Sequence, residues 1–123
     1  MFGKKFVAFV EDNESALAAF QRELGDSMIS ARTVVEFETE LWPQRGNIVV
    51  WFLDVEIPRA EGAVANARNG INIAKVLAKE MPNIPRFCIS ARDDLPDWCK
   101  EFYSGHILKS KVEEIIQKAK EYL

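Results

Sequence analysis

The chain has 123 residues, 48% of them apolar, and a formal net charge of −3. That length suits one compact domain with a real core. The acidic balance disfavours wholesale nucleic-acid binding, and no apolar run approaches the ~20 residues of a membrane span.

Phe6 to Val10 is a continuous apolar run that ends in Glu11-Asp12-Asn13, the pattern of a buried parallel strand. Asn13 is placed to cap a helix carrying Leu17, Phe20 and Leu24 on one face, which Gly25-Asp26 ends. Met28 to Val34 reads as a weaker strand, Phe37 to Leu41 as a short helix and Pro43 through Asn47 as a turn. Ile48 to Leu53 is the most apolar run and ends at Asp54, with Pro58 four residues on. A carboxylate closing a strand buried on both faces must point at a site, because an unpaired buried charge is costly.

Arg59 to Asn69 is rich in Ala and small polar residues and reads as an insertion. Gly70 then opens a helix with Ile73, Val76 and Leu77 toward the core. Phe87-Cys88-Ile89 is a fourth strand ending at Ser90, Asp94 to Tyr103 a short helix, and Ile107-Leu108 a fifth strand ending at Lys109. The last helix carries Val112, Ile115, Ile116 and Ala119 on one face, with Ser110 and Glu113 as a capping box. Cys88 is expected buried and Cys99 partly exposed; neither implies an oxidising compartment, and no segment looks like a signal peptide, so a cytoplasmic location is expected.

Strict strand–helix alternation predicts one α/β domain over residues 1–123, a three-layer doubly wound (βα)5 fold. Ligands of such sheets bind beyond the carboxyl ends of the strands. Asp12, Asp54, Ser90 and Lys109 each stand at such an end, and the flavodoxin-like order 2-1-3-4-5, taken by analogy, brings them to one edge. Clustered carboxylates need a cation to ionise together, and Mg²⁺ suits oxygen ligands that it shares with phosphate. An ionised Asp can attack a phosphoryl group, with Lys109 supplying positive charge and Ser90 a hydrogen bond.

These motifs, over essentially the whole length, resemble the receiver domain of two-component response regulators. Phe9-Val10-Glu11-Asp12-Asn13-Glu14 resembles the family's acidic pair. Leu53-Asp54-Val55-Glu56-Ile57-Pro58 resembles its phosphoacceptor motif, Ile89-Ser90-Ala91 its Thr/Ser-Ala motif, and Gly105-His106-Ile107-Leu108-Lys109 the segment bearing its lysine. The resemblance implies Asp54 as phosphoacceptor, Asp12 as Mg²⁺ ligand with Glu11 nearby, and a metal contact from the Glu56 backbone carbonyl. It implies Ser90 as switch hydroxyl and Lys109 as the partner of the phosphoryl group. A sensor histidine kinase or histidine phosphotransfer protein would be the donor. A downstream output protein would bind the face of helix four, strand five and helix five, with no direct nucleic-acid contact and no membrane insertion. The chain would be no enzyme beyond its own phosphorylation and dephosphorylation, and either a single-domain regulator or a fragment of a longer one.

Three departures stand out. Ser110 replaces the usual proline after the lysine, leaving a cis or a trans bond open. His106, the only histidine, takes the switch-aromatic position, as a rotating switch or as a half-exposed residue of the partner face. Glu56 and Arg92, each two residues past a site residue, either pair over the site and set phosphoryl lifetime or stand as independent solvated charges. The rival readings are a degenerate receiver acting as a binding module, a small Mg-dependent phosphatase of the haloacid dehalogenase type, and a flavodoxin. The phosphatase lacks its acidic pattern after strand one, and the flavodoxin lacks a hydroxyl-rich phosphate loop there.

Overall fold

A computed structural model describes residues 3–92 and 95–123. Its centre is a five-stranded parallel sheet in the order β2-β1-β3-β4-β5. The strands are β1 (Phe6–Val10), β2 (Met28–Ala31), β3 (Ile48–Asp54), β4 (Arg86–Ser90) and β5 (Gly105–Leu108). The expected order and fold class are therefore observed. The helices are α1 (Glu14–Leu24), α2 (Val34–Glu36), α3 (Ala67–Glu80), α4 (Asp97–Lys100) and α5 (Val112–Lys120).

The inner strands read as apolar runs because both faces are covered. Val7, Phe9, Val50, Phe52, Phe87 and Ile89 pack with Leu17, Phe20 and Leu24 of α1 and with Ile115, Ile116 and Ala119 of α5. On that face the Phe20, Phe9, Phe52 and Phe87 rings stack in a row, with centroids 4.5, 4.9 and 5.6 Å apart. Ala8, Val10, Trp51, Leu53 and Cys88 face the other way, toward α2, α3 and α4.

Several local expectations are corrected. β2 stops at Ala31, because Thr33 caps α2 by accepting from Glu36 N at 3.0 Å. The region expected as a helix over 37–41 and then a turn is one irregular helical stretch. α2 runs into a π turn (Phe37–Leu41) and then a 3-10 segment (Trp42–Asn47), with Phe37 and Leu41 buried. α3 starts at Ala67, capped by Asn66, three residues before Gly70. Residues 67–69 of the segment read as an insertion are therefore helical. Val76 lies 43% exposed on α3, whereas Ile71, Ile73, Ala74 and Leu77 are buried. Only Asp97–Lys100 of the helix expected over 94–103 is helical, and Asp94 lies outside the described residues. Cys99 is buried rather than partly exposed. α5 is preceded by Lys111 with no side-chain cap, so Ser110 and Glu113 form no capping box. No described helix is long and apolar enough to cross a membrane.

The segment between β3 and α3 is held at both ends. Ile57 and Asn66 pair antiparallel, and Asn66 N donates to Ile57 O at 3.1 Å. Gly62 makes the turn at φ 86°, a left-handed conformation that suits glycine. The carbonyls of Pro58 and Arg59 accept from Val34 N and Val35 N at 3.1 and 3.0 Å, which satisfies the first amides of α2.

Candidate functional site

The carboxyl edge of the sheet gathers the polar residues that the strand ends placed there. β1 and β3 are direct neighbours, with Val10 opposite Leu53. The residues that follow, Glu11 and Asp12, thus stand beside Asp54. Carboxylate oxygens of Glu11, Asp12 and Asp54 lie within 4.8 Å of one another. Glu11 and Asp54 are buried and Asp12 is half-buried.

Lys109 reaches across from the end of β5. Its Nζ lies 3.0 Å from Asp54 Oδ2 and 2.8 Å from Glu11 Oε1. Ser90 Oγ is buried at the end of β4 and accepts from Arg92 N at 3.0 Å. The backbone holds Asp54 as well: Glu56 N donates to its Oδ1 at 3.4 Å. The expected acid–acid–hydroxyl–lysine set is thus brought to one edge, with the lysine and two of the acids in direct contact.

The electrostatics follow from this crowding. Burial, and then the neighbouring Asp54 carboxylate, push the Glu11 carboxyl up to about 8. Burial alone would lower the Lys109 ammonium, but its bonds to Glu11 and Asp54 outweigh that and raise it. Three carboxylates against one ammonium leave two uncompensated negative charges, 3 − 1 = 2, when all are ionised. This all-oxygen donor set fits a hard divalent cation such as Mg²⁺. The carboxylates of Glu11, Asp12 and Asp54 lie close enough together to share one such ion.

The peptide bond between Lys109 and Ser110 is trans, since no described peptide bond is cis. Lys109 reaches Asp54 with that geometry all the same. Glu56 and Arg92 are both exposed and form no ion pair among the described residues, so of the two readings they stand as independent charges. An exposed pair gains too little to hold two such side chains together. His106 is half-buried on β5, paired in register with Cys88, and its Nε2 is buried with no hydrogen-bond partner among the described residues.

Two roles are not visible in the sequence, one at the site and one at the amino end of the sheet. Gly70 packs against the carboxyl end of β3: a Cβ there would lie 2.1 Å from Val55 O and 2.4 Å from Asp54 O. A glycine inside a helical pattern was its signal. Arg86, at the start of β4, is buried, and its guanidinium donates to Ile84 O and Phe102 O at 3.0 and 2.9 Å. An arginine beside the apolar run of β4 gives no sequence sign of that role.

No family model and no curated relative matches this sequence. Solved structures do. The response regulator protein TrrA from Thermotoga maritima, solved in complex with Mg²⁺ and BeF, superposes with a TM-score of 0.74 at 21% identity, over 97% of this chain and 99% of that one. The N-terminal signal receiver domain of a two-component response regulator from Bacteroides fragilis gives 0.73 at 19%, over 98% and 97%. A CheY-like response regulator receiver domain protein from Methanospirillum hungatei gives 0.72 at 16%, over 97% and 93%. The chain has the receiver-domain fold over nearly its whole length.

Proposed function

We propose that this chain is the phosphoacceptor receiver of a two-component phosphorelay, taking a phosphoryl group onto Asp54. One observation carries the reading: the Asp54 carboxylate is held 3.0 Å from Lys109 Nζ and beside Glu11 and Asp12, at the carboxyl edge of a receiver-type sheet. The donor is a histidine kinase or a histidine phosphotransfer protein, and the signal passes to a partner protein. On this reading residues 1–123 form one receiver domain and the stretch after Pro58 is an insertion in it.

In the transfer, an Asp54 carboxylate oxygen attacks phosphorus while the phosphorus–nitrogen bond to the donor histidine breaks. The bond electrons leave with the imidazole, so electrons balance and Asp54 becomes an aspartyl phosphate. Phosphoryl transfer asks the protein mainly for position and charge neutralisation. Lys109 already touches the attacking carboxylate and is placed to follow the charge onto the phosphoryl oxygens. Ser90 donates its hydroxyl proton to one of those oxygens, giving up none of its contact with Arg92 N. A bound Mg²⁺ would offset the remaining negative charge. His106, on β5 just ahead of Lys109, would report the change to the partner face.

The test uses Mg²⁺ and acetyl phosphate, with intact-mass spectrometry of the product. The expected result is one added phosphoryl group, lost in Asp54→Asn and dependent on Mg²⁺. Absence of labelling with acetyl phosphate and with phosphoramidate would favour a binding module that takes no phosphate.

A further inference from the structure

A second surface lies away from the acid cluster, between α3 and α4. A groove of about 550 Å³ is lined by Arg68, Ile71, Asn72 and Lys75 of α3 and by Trp98 of α4. Trp98 is 61% exposed, a large area for an indole in an otherwise well-buried domain. Lys75 Nζ sits 5.8 Å from the Trp98 ring centroid and 5.4 Å from that of Phe102. The ammonium therefore rests on aromatic faces. Among the described residues neither Arg68 nor Lys75 has a carboxylate within 4.0 Å, and Asp97 of α4 is taken by Lys100 at 3.1 Å. Lys79 continues the stripe, since positions 68, 75 and 79 fall on one helix face.

We infer that this groove is a docking surface for an acidic protein segment that seats an apolar anchor against Trp98 and Ile71 and its carboxylates against Arg68 and Lys75. The charge complementarity sets the partner's sign. A tryptophan flanked by an arginine is also the composition that concentrates binding energy at interfaces. Nucleic acid fits less well: two lining cations on a chain of net charge −3 cannot track a run of phosphates. The surface differs from the face of α4, β5 and α5, and the inference does not depend on phosphorylation of Asp54.

The probe is a synthetic peptide of glutamates around a central leucine–phenylalanine pair, titrated into the ¹⁵N-labelled protein. A peptide with lysines in place of the glutamates and a single-stranded oligonucleotide serve as comparisons. Saturable shifts are expected at the Arg68, Ile71 and Lys75 amides and at the Trp98 indole, weakening as salt is raised because the attraction is screened. Lys75→Glu and Trp98→Ala should each weaken binding about ten-fold, with undisturbed spectra showing that the fold survives, whereas Lys118→Glu on α5 should leave it unchanged. Four outcomes would overturn the inference. They are no shifts at millimolar peptide, shifts confined to β5 and α5, equal binding of the lysine peptide or the oligonucleotide, and self-association abolished by Trp98→Ala, which would give the groove to a second copy.

Discussion

Replacing Gly70 with alanine sets two physical effects against each other. Helix propensity favours alanine by ~0.8–1.0 kcal/mol in a helix interior. Sterics oppose it, because the new methyl would lie 2.1 Å from Val55 O, 2.4 Å from Asp54 O and 2.6 Å from Val55 C. Ordinary non-bonded separations are ~3.5 Å, so α3 would have to retreat by roughly 1 Å. The atoms in the way are backbone of the strand end that carries Asp54, and they cannot rotate aside. Retreat also stretches the bond from Gly70 N to Val55 O, now 3.1 Å and worth ~1 kcal/mol, and loosens Ile71, Ala74 and Leu77. Overpacking of ~1–3 kcal/mol plus the lost bond, less the propensity gain, leaves a net destabilisation of about 1–3 kcal/mol. In a domain of this size that lowers Tm by roughly 3–15 °C. Urea and thermal unfolding of Gly70→Ala measure it, with Gly46→Ala as the control, since nothing lies within 4 Å of a Cβ there. A Gly70→Ala protein as stable as its parent, or more stable, would refute the close approach of α3 to β3.

Two further expectations follow from buried charge. The folded Glu11 carboxyl stands near pH 8 against an ordinary 4.5, so between those values the folded protein holds a proton that the unfolded chain has released. Without metal, stability should therefore fall as pH rises through that window, by up to a few kcal/mol, with the loss complete above it. Urea midpoints across pH should show this slope in the parent and lose it in Glu11→Gln; an identical slope in both would place the titration elsewhere. Arg86→Met removes the donors to Ile84 O and Phe102 O and leaves two part-buried carbonyls unpaired, so it should cost about 2 kcal/mol in urea unfolding. A change below ~0.5 kcal/mol would show that water replaces the guanidinium.

The sheet was legible because burial on both faces writes strands as unbroken apolar runs. Phe6–Val10 and Ile48–Leu53 have no other soluble use, and an acid after each is costly unless it serves a site. The strand order came by analogy and was then observed. What stayed hidden was the fit between elements. A glycine inside a helical pattern flags Gly70 but not what it spaces, since the atoms it avoids belong to Asp54 and Val55. The start of α3 was misplaced for a related reason: Asn66 caps it three residues earlier, and Asn69-Gly70 reads as a breaker only when its tertiary neighbours are unknown. The stretch from Val34 to Asn47 departs from the expectation at its two ends: Thr33 caps a helix that starts three residues before Phe37, and Pro43 and Gly46, turn residues by type, lie in a 3-10 segment. Ser110 and Glu113 matched a capping pattern, yet α5 begins at Val112, too late for Ser110 to serve as its cap. Glu56 and Arg92 each follow a site residue by two positions, but such an offset does not bind two exposed side chains to each other.

The two carbonyls of Pro58 and Arg59 that receive the amides of Val34 and Val35 have a dynamic consequence. The stretch after β3 and the start of α2 are 24 residues apart in sequence but share hydrogen bonds, so neither opens without uncovering the other. They form one cooperative unit on the rim of the sheet. Slow exchange of the Val34 and Val35 amides thus clocks the lifting of a distant loop, and a partner that grips the loop from outside would be felt at the first turn of α2.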